Sequence, residues 1–115
     1  MLQAYGAEPP LGLRPIYKSF ADDDEMFAML IEKASLLISL HFGIPRRDRI
    51  AALRHASCLL LASATSPAEA RSIEQAEINI VAAQGWEAGA HRGVFDPGAL
   101  NDRLGTIALT RLLVR

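Results

Sequence analysis

The residues of this 115-residue chain that could do chemistry are few: three histidines and one cysteine. His41 and His55 lie in segments with a helical pattern, and His91 lies in a glycine-rich loop. A zinc site needs three or four ligands, usually with a close pair such as two histidines one helical turn apart. No two of these histidines have that spacing, and Cys58 follows His55 with no further ligand nearby in the sequence. The sequence therefore predicts no metal site.

The pair His55 and Cys58 could also act as a base and a thiol nucleophile. Activated cysteines usually lie at helix N-termini or in clefts, where the thiolate is stabilised. Cys58 instead falls inside a run rich in Ala and Leu, so we expect a structural thiol. On these grounds the sequence predicts no catalytic residue, no cofactor and no small-molecule ligand.

The glycine-rich segment 85–98 is a second candidate site. It lacks the preceding strand and the glycine spacing of a nucleotide-binding fingerprint. Its Trp86, Arg92 and Phe95 suit an interface with another protein, where Trp and Arg are over-represented. Trp86 and Phe95 could equally anchor the loop onto the rest of the chain. The two roles are compatible, and both stay open at this point.

An arginine cluster between residues 46 and 54 is the one feature that could contact nucleic acid. Its candidate residues are Arg46, Arg47 and Arg54, of which the last two share one flank of a predicted helix. The net charge of −1 provides no overall field to attract a polyanion. Nucleic-acid binding is therefore not expected, and a DNA-binding regulator is kept only as an alternative.

Four segments of the chain have a helical pattern: residues 22–42, 45–64, 67–83 and 97–114. The first begins with Asp22 and Glu25, which have the spacing of a capping box. The third begins with Ser66, Pro67 and Glu69, which are typical of the N-cap, N1 and N3 positions of a helix. The expected fold class is all-α, a small bundle of three to four helices.

The N-terminal residues 1–20 contain three prolines and two glycines. These residues interrupt helices and strands, so the pattern predicts an extended arm over 1–20. A single helical domain over 21–115 follows, because a chain of this length fits one domain. The sequence has no signal-peptide pattern and no apolar run of about 20 residues, so it predicts no membrane segment and a cytoplasmic location.

The first and fourth predicted helices have more apolar surface than one chain can cover. An exposed patch of that size exceeds what soluble monomers normally carry, so we expect a homodimer and a protein partner. The expected interface residues are Met26, Met29, Leu36, Leu40, Trp86, Arg92, Phe95, Leu109 and Leu113.

The function expected from this pattern is a small protein–protein interaction module, as in a bacterial regulator that binds or sequesters another protein. In size and predicted architecture the chain is similar to the helical anti-activators of transcription regulators. The chain is accordingly not expected to be an enzyme. A third class, an enzyme or ligand-binding bundle, would need a polar cavity that contains His41 or His91.

Overall fold

The computed structural model describes residues 19–89, 91–100 and 102–114, without the side chain of Ala21. The predicted arm over 1–20 therefore lies almost entirely outside the described residues. The described part begins with a single 3₁₀ turn over Phe20–Asp22. Four helices and three strands then follow in chain order: α1 Asp24–Lys33, β1 Leu37–Leu40, α2 Arg47–His55, β2 Leu59–Ala64, α3 Pro67–Gln75, β3 Ile80–Ala83 and α4 Thr106–Leu113.

The three strands form one parallel sheet in the order β1-β2-β3. Leu37 pairs with Leu59 across the first ladder, and Leu61 pairs with Ile80 across the second. Each pair of neighbouring strands is joined by a helix, which is the arrangement of α/β proteins. The all-α prediction is therefore wrong. The carboxyl half of each of the first three predicted helices contains a strand, and α4 fills only part of the fourth.

The helices end earlier than predicted because residues other than glycine adopt the left-handed conformation after them. Ala34 ends α1 with a φ of 45°, and Ser57 and Glu77 have φ values of 62° and 57° just after α2 and α3. Glycine is the residue usually found at such a position, since it has no Cβ to clash. The sequence therefore carried no visible stop signal at these three places.

One face of the sheet packs against the helices and forms the core. Alternate residues of a strand point to the same face, and here the even-numbered residues of β1 and β2 are buried. The buried apolar residues of the sheet and of the two helices between its strands are Ile38, Leu40, Leu60, Ala62, Ala64, Ile50, Leu53, Ala70 and Ile73.

The other face of the sheet, here called the open face, is uncovered in the part of the chain that the structure describes. Its apolar residues Leu37, Leu59 and Ile80 are 51%, 44% and 41% exposed. Crossovers between parallel strands are almost always right-handed, so a sequential strand order places the connecting helices on one side, and the described helices between the strands leave this face uncovered. Parallel sheets are normally covered on both faces, so the open face requires a further layer of protein.

None of the described helices has both the length and the apolar character that crossing a bilayer requires.

Candidate functional site

The candidate site lies where the three parallel strands end. Ligands of α/β proteins bind outside the carboxyl ends of the strands, where the following loops converge. His41 directly follows β1, Thr65 follows β2 and Gln84 follows β3. The topology therefore brings together residues that are 19 to 43 positions apart in the sequence.

His41 is held by two serine side chains of the open face. Its Nδ1 lies 2.7 Å from the Ser63 hydroxyl oxygen, and its Nε2 lies 2.8 Å from that of Ser39. Ser63 is only 5% exposed, whereas Ser39 and His41 are exposed. The imidazole thus has a fixed orientation at the carboxyl edge of the sheet.

Gln84 holds the loop that carries the second histidine of the site. The backbone N–H of Gly93 donates to Gln84 Oε1 at 2.7 Å, and Gln84 Nε2 donates to the carbonyl oxygen of His91 at 3.2 Å. A Cβ on Gly93 would lie 3.6 Å from the Cβ of Ser63, so the loop passes close to β2. The two histidines consequently line one cleft of about 530 Å³ together with Phe42, Gln84, Gly89 and Gly93.

Glu69 fastens the same loop to helix α3. Its Oε2 accepts hydrogen bonds from the backbone N–H and the hydroxyl of Thr65, at 2.6 and 2.7 Å. Its Oε1 accepts from the backbone N–H of Phe95 at 2.9 Å. Ser66 caps α3 by accepting from the backbone N–H of Glu69 at 3.2 Å, as the sequence predicted.

Arg92 lies inside the loop instead of pointing to a partner. Its Nη2 donates to the carbonyl oxygen of Thr65 at 3.0 Å. Its guanidinium carbon lies 5.1 Å from the centroid of the Trp86 ring, and that of Arg103 lies 5.0 Å from the same ring. The Nε and Nη1 atoms of Arg92 are buried without a hydrogen-bond partner among the described residues. These contacts favour the anchoring role of Trp86.

Glu87 joins the loop after β3 to the start of helix α4. Its Oε1 accepts a hydrogen bond from the backbone N–H of Thr106 at 2.7 Å. The pKa of Glu87 is lowered from its usual value of 4.5 by its own backbone N–H, then by the backbone N–H and the hydroxyl of Thr106. Gly85 makes this close approach possible, since a Cβ there would lie 2.2 Å from the Thr106 nitrogen.

The residues of the predicted protein interface do not form one exposed surface. Leu40 and Leu109 are buried in the structure, at 5% and 0% exposure, which corrects their assignment to an exposed patch. Arg92, Phe95 and Leu113 are partly buried. The exposed members are Met26, Met29, Leu36 and Trp86. Interface formation by these four residues stays a prediction.

The arginines considered for nucleic acid are engaged mainly with carboxylates. Arg46 lies 2.9 Å from Asp48, and Arg54 forms an ion pair with Glu77. Arg47 is exposed in the first turn of α2. Arg49, the fourth arginine of this cluster, is 5% exposed and pairs with Asp24. No group of three potential metal ligands occurs among residues 19–89, 91–100 and 102–114.

Comparison with known proteins decides the family. Residues 10–114 match the family model described as nitronate monooxygenase. The chain belongs to the nitronate monooxygenase family. It is 52% identical to a nitronate monooxygenase of Paraburkholderia phytofirmans over 98% of this chain and 31% of that protein. It is 47% identical to a nitronate monooxygenase of Pseudomonas aeruginosa over 95% of this chain and 31% of that protein.

A solved structure supports the same assignment to the nitronate monooxygenase family. The nitroalkane oxidase of Streptomyces ansochromogenes matches with a TM-score of 0.72 and 39% identity, over 76% of this chain and 26% of that chain. The chain thus spans about a third of the length of the curated relatives that it matches.

Membership of this enzyme family corrects the functional prediction. The expected regulatory interaction module, its anti-activator example and the DNA-binding alternative are wrong, as is the expectation that the chain is not part of an enzyme. The functional prediction went wrong where the segment before the glycine-rich loop was read as a helix. Residues 80–83 have a helical pattern in sequence but form β3, so His91 follows a strand and lies at the edge of a sheet.

Proposed function

We propose that this chain supplies three consecutive strands, and part of the active site, of an enzyme that oxidises nitronates. One observation carries the proposal: His41, Gln84 and His91 surround one cleft at the carboxyl edge of a parallel sheet. The names of the relatives supply the substrate class, since the proteins of Paraburkholderia phytofirmans and Pseudomonas aeruginosa are nitronate monooxygenases.

We infer that the sheet is part of a closed β/α barrel. The strand order is sequential and the helices lie on one side, as in a barrel whose helices form an outer ring. The open face would then be the barrel interior, which is filled by layers of side chains. Its apolar residues Leu37, Leu59 and Ile80 suit that role. Active sites of such barrels lie at the carboxyl face, where the cleft is found.

A monooxygenase transfers an oxygen atom from dioxygen, and that chemistry is carried by redox cofactors such as flavins, haem or metal centres. When bound, such a cofactor supplies the electrons for the reaction with dioxygen. The cleft of about 530 Å³ is within the size range of cofactor and ligand pockets. Its wall combines the ring of Phe42 with the polar side chains of His41 and His91, so the described residues fit one side of such a site.

We assign to His91 the role of a general base. A neutral nitroalkane must lose a proton from the carbon beside its nitro group to become a nitronate, and histidine is the commonest general base in enzymes. His91 lines the cleft with an exposed side chain. Its backbone is held by Gln84 through the 3.2 Å hydrogen bond to the carbonyl oxygen, which keeps the imidazole close to the carboxyl edge.

The test is dioxygen uptake by the purified polypeptide as its organism produces it, with an alkyl nitronate and with the parent nitroalkane. We expect His91→Asn to lower kcat/KM for the nitroalkane by about 10²- to 10⁴-fold and to affect the nitronate much less, because the nitronate has already lost its proton. His55→Asn is the matched control, since His55 is exposed at the end of α2. Absence of nitronate-dependent uptake in the unsubstituted protein would overturn the proposed function.

A further inference from the structure

We propose that the Ser39 hydroxyl donates a hydrogen bond to an oxygen of the nitronate group, and that His41 and Ser63 orient it. This inference rests on the proposed function. The three residues form one polar group on an otherwise apolar open face. Ser39 lies in register with Leu61, and Ile80 pairs with Leu61 on the next strand. Within the sheet, Ser39 is thus flanked on the neighbouring strands by apolar side chains that cannot bind a ligand oxygen.

The burial of Ser63 sets the direction of the hydrogen bonds. Buried hydroxyl groups are almost always hydrogen-bonded, and Ser63 is 5% exposed. Among the described residues its hydroxyl lies within hydrogen-bond distance of His41 Nδ1, at 2.7 Å. Ser63 therefore donates to Nδ1, because the opposite direction would leave its buried hydrogen without an acceptor.

The tautomer of His41 follows from that direction. A neutral imidazole carries one N–H donor and one acceptor nitrogen. With Nδ1 accepting from Ser63, the proton is on Nε2, and Nε2 donates to the Ser39 hydroxyl oxygen over 2.8 Å. The Ser39 hydrogen is then directed away from His41. Ser39 is exposed in the part of the chain that the structure describes and contacts His41, which lines the cleft, so the acceptor for this hydrogen is a ligand at the floor of that cleft.

A nitronate oxygen is the acceptor that fits this donor. The nitronate group is planar and carries its negative charge on two oxygens, and hydrogen bonds to charged acceptors are stronger than neutral ones. In this arrangement Ser39 is a binding residue, whereas His41 and Ser63 are positioning residues that act through it.

The kinetic test uses Ser39→Ala in the native polypeptide, with Ser39→Thr as the variant that keeps the hydroxyl. We expect Ser39→Ala to raise KM for an alkyl nitronate about tenfold with little change in kcat, as expected for the loss of a substrate-binding contact. Ser39→Thr should restore most of the affinity. Ser72→Ala is the control, because the Ser72 hydroxyl donates to the Ala68 carbonyl on exposed α3. An unchanged KM in Ser39→Ala would overturn the inference, even if its melting temperature falls.

A second measurement reports on the positioning residues without turnover. Nitrogen-15 NMR of the His41 ring should show the Nε2–H tautomer, and Ser63→Ala should convert it to a mixture of tautomers. Observation of the Nδ1–H tautomer in the unsubstituted protein would overturn the assigned direction. If the unsubstituted protein oxidises no nitronate, the proposed function fails. The Ser39 contact is then judged by binding of propionate, whose carboxylate resembles a nitronate group: equal affinity in Ser39→Ala would contradict it.

Discussion

At the scale of single residues, Glu69 makes more connections than its place on a surface helix suggests. One carboxylate oxygen accepts from both the backbone and the side chain of Thr65, and the other accepts from the backbone of Phe95. Thr65 directly follows β2, whereas Phe95 belongs to the loop after β3. This single side chain therefore links a strand, a helix and the loop that carries His91.

We expect Glu69→Ala to lower the free energy of unfolding by about 1–3 kcal/mol, because it leaves partly buried donors without an acceptor. Urea denaturation followed by circular dichroism measures the change. Glu74→Ala provides the control, since Glu74 lies exposed on the same helix. Equal effects of the two substitutions would show that the bonds to Thr65 and Phe95 contribute nothing.

The sequence revealed only the local part of this arrangement. Ser66, Pro67 and Glu69 predicted the start of α3 correctly, because capping depends on residues within one helical turn. The bond from Phe95 spans 26 residues and depends on the path of the loop after β3. In the same way, the sequence reasoning named His41 and His91 only as residues that an enzyme of this kind would need in a polar cavity, because their common cleft depends on strand pairing that it did not foresee.

At the scale of elements, the first three helices were located well at their starts and poorly at their ends, whereas α4 begins at Thr106 instead of residue 97 and ends close to its predicted bound. The short apolar runs that follow α1, α2 and α3 are consistent with either a buried helix or a strand of a parallel sheet. The left-handed residues Ala34, Ser57 and Glu77 separate each helix from the next run. Because none of them is a glycine, the pattern continued without interruption and the strands were read as helix.

The start of α4 offers a pH test. The lowered pKa of Glu87 means that its ionised form stabilises the fold. That stabilisation is fully present above about pH 4.5 and is lost as the pH falls through the lower pKa of the folded state. We expect Glu87→Gln to reduce stability at neutral pH, with the difference from the unsubstituted protein shrinking below pH 4.5. Urea midpoints measured from pH 3 to pH 7 check this, with Glu74→Gln as control; a constant difference would contradict it.

The contact between helix α4 and the loop after β3 predicts that replacing Gly85 by alanine lowers stability much more than replacing Gly89. We expect Gly85→Ala to lower the free energy of unfolding by about 2 kcal/mol or more, since the new Cβ would overlap the Thr106 nitrogen. Gly89→Ala should stay within about 0.5 kcal/mol, because no atom that the structure describes beyond its chain neighbours lies within 4 Å of the added Cβ. Thermal unfolding of both variants measures the difference. A small change in the free energy of unfolding for Gly85→Ala would mean that the loop moves away from α4 at little cost.

At the scale of the whole molecule, the open face is the apolar surface of the sheet that the described chain leaves uncovered. Its exposed leucines and isoleucine lie on all three strands, so a covering layer must extend across the full sheet. The match covers 31% of the Paraburkholderia phytofirmans and Pseudomonas aeruginosa proteins, so those relatives have enough additional chain to supply such a layer. Composition alone gave no indication of this, since the three strands consist largely of Leu and Ala, which are also good helix formers.

The barrel proposal predicts that substitution by aspartate has different effects on stability at two similarly exposed residues of the native polypeptide. Leu59 is 44% exposed on the open face, and Met29 is 47% exposed on α1. We expect Leu59→Asp to cost about 3 kcal/mol or more, as for an unpaired buried charge, and Met29→Asp to cost less than about 1 kcal/mol. Similar small costs would contradict a covered open face. Size-exclusion chromatography of Leu36→Asp separately tests the predicted homodimer, which this substitution of a 79%-exposed interface candidate should weaken.

The register of the sheet also bears on how the protein is made. Leu37 pairs with Leu59, 22 residues later, and Leu61 pairs with Ile80, 19 residues later. Each strand therefore meets its neighbour as soon as one short helix has been completed, and contacts of such limited separation form quickly. A ribosome delivers the strands in the order in which they pair. The sheet can thus grow by one strand at a time during synthesis, and its apolar open face is the surface through which a nascent chain would aggregate while that face is uncovered.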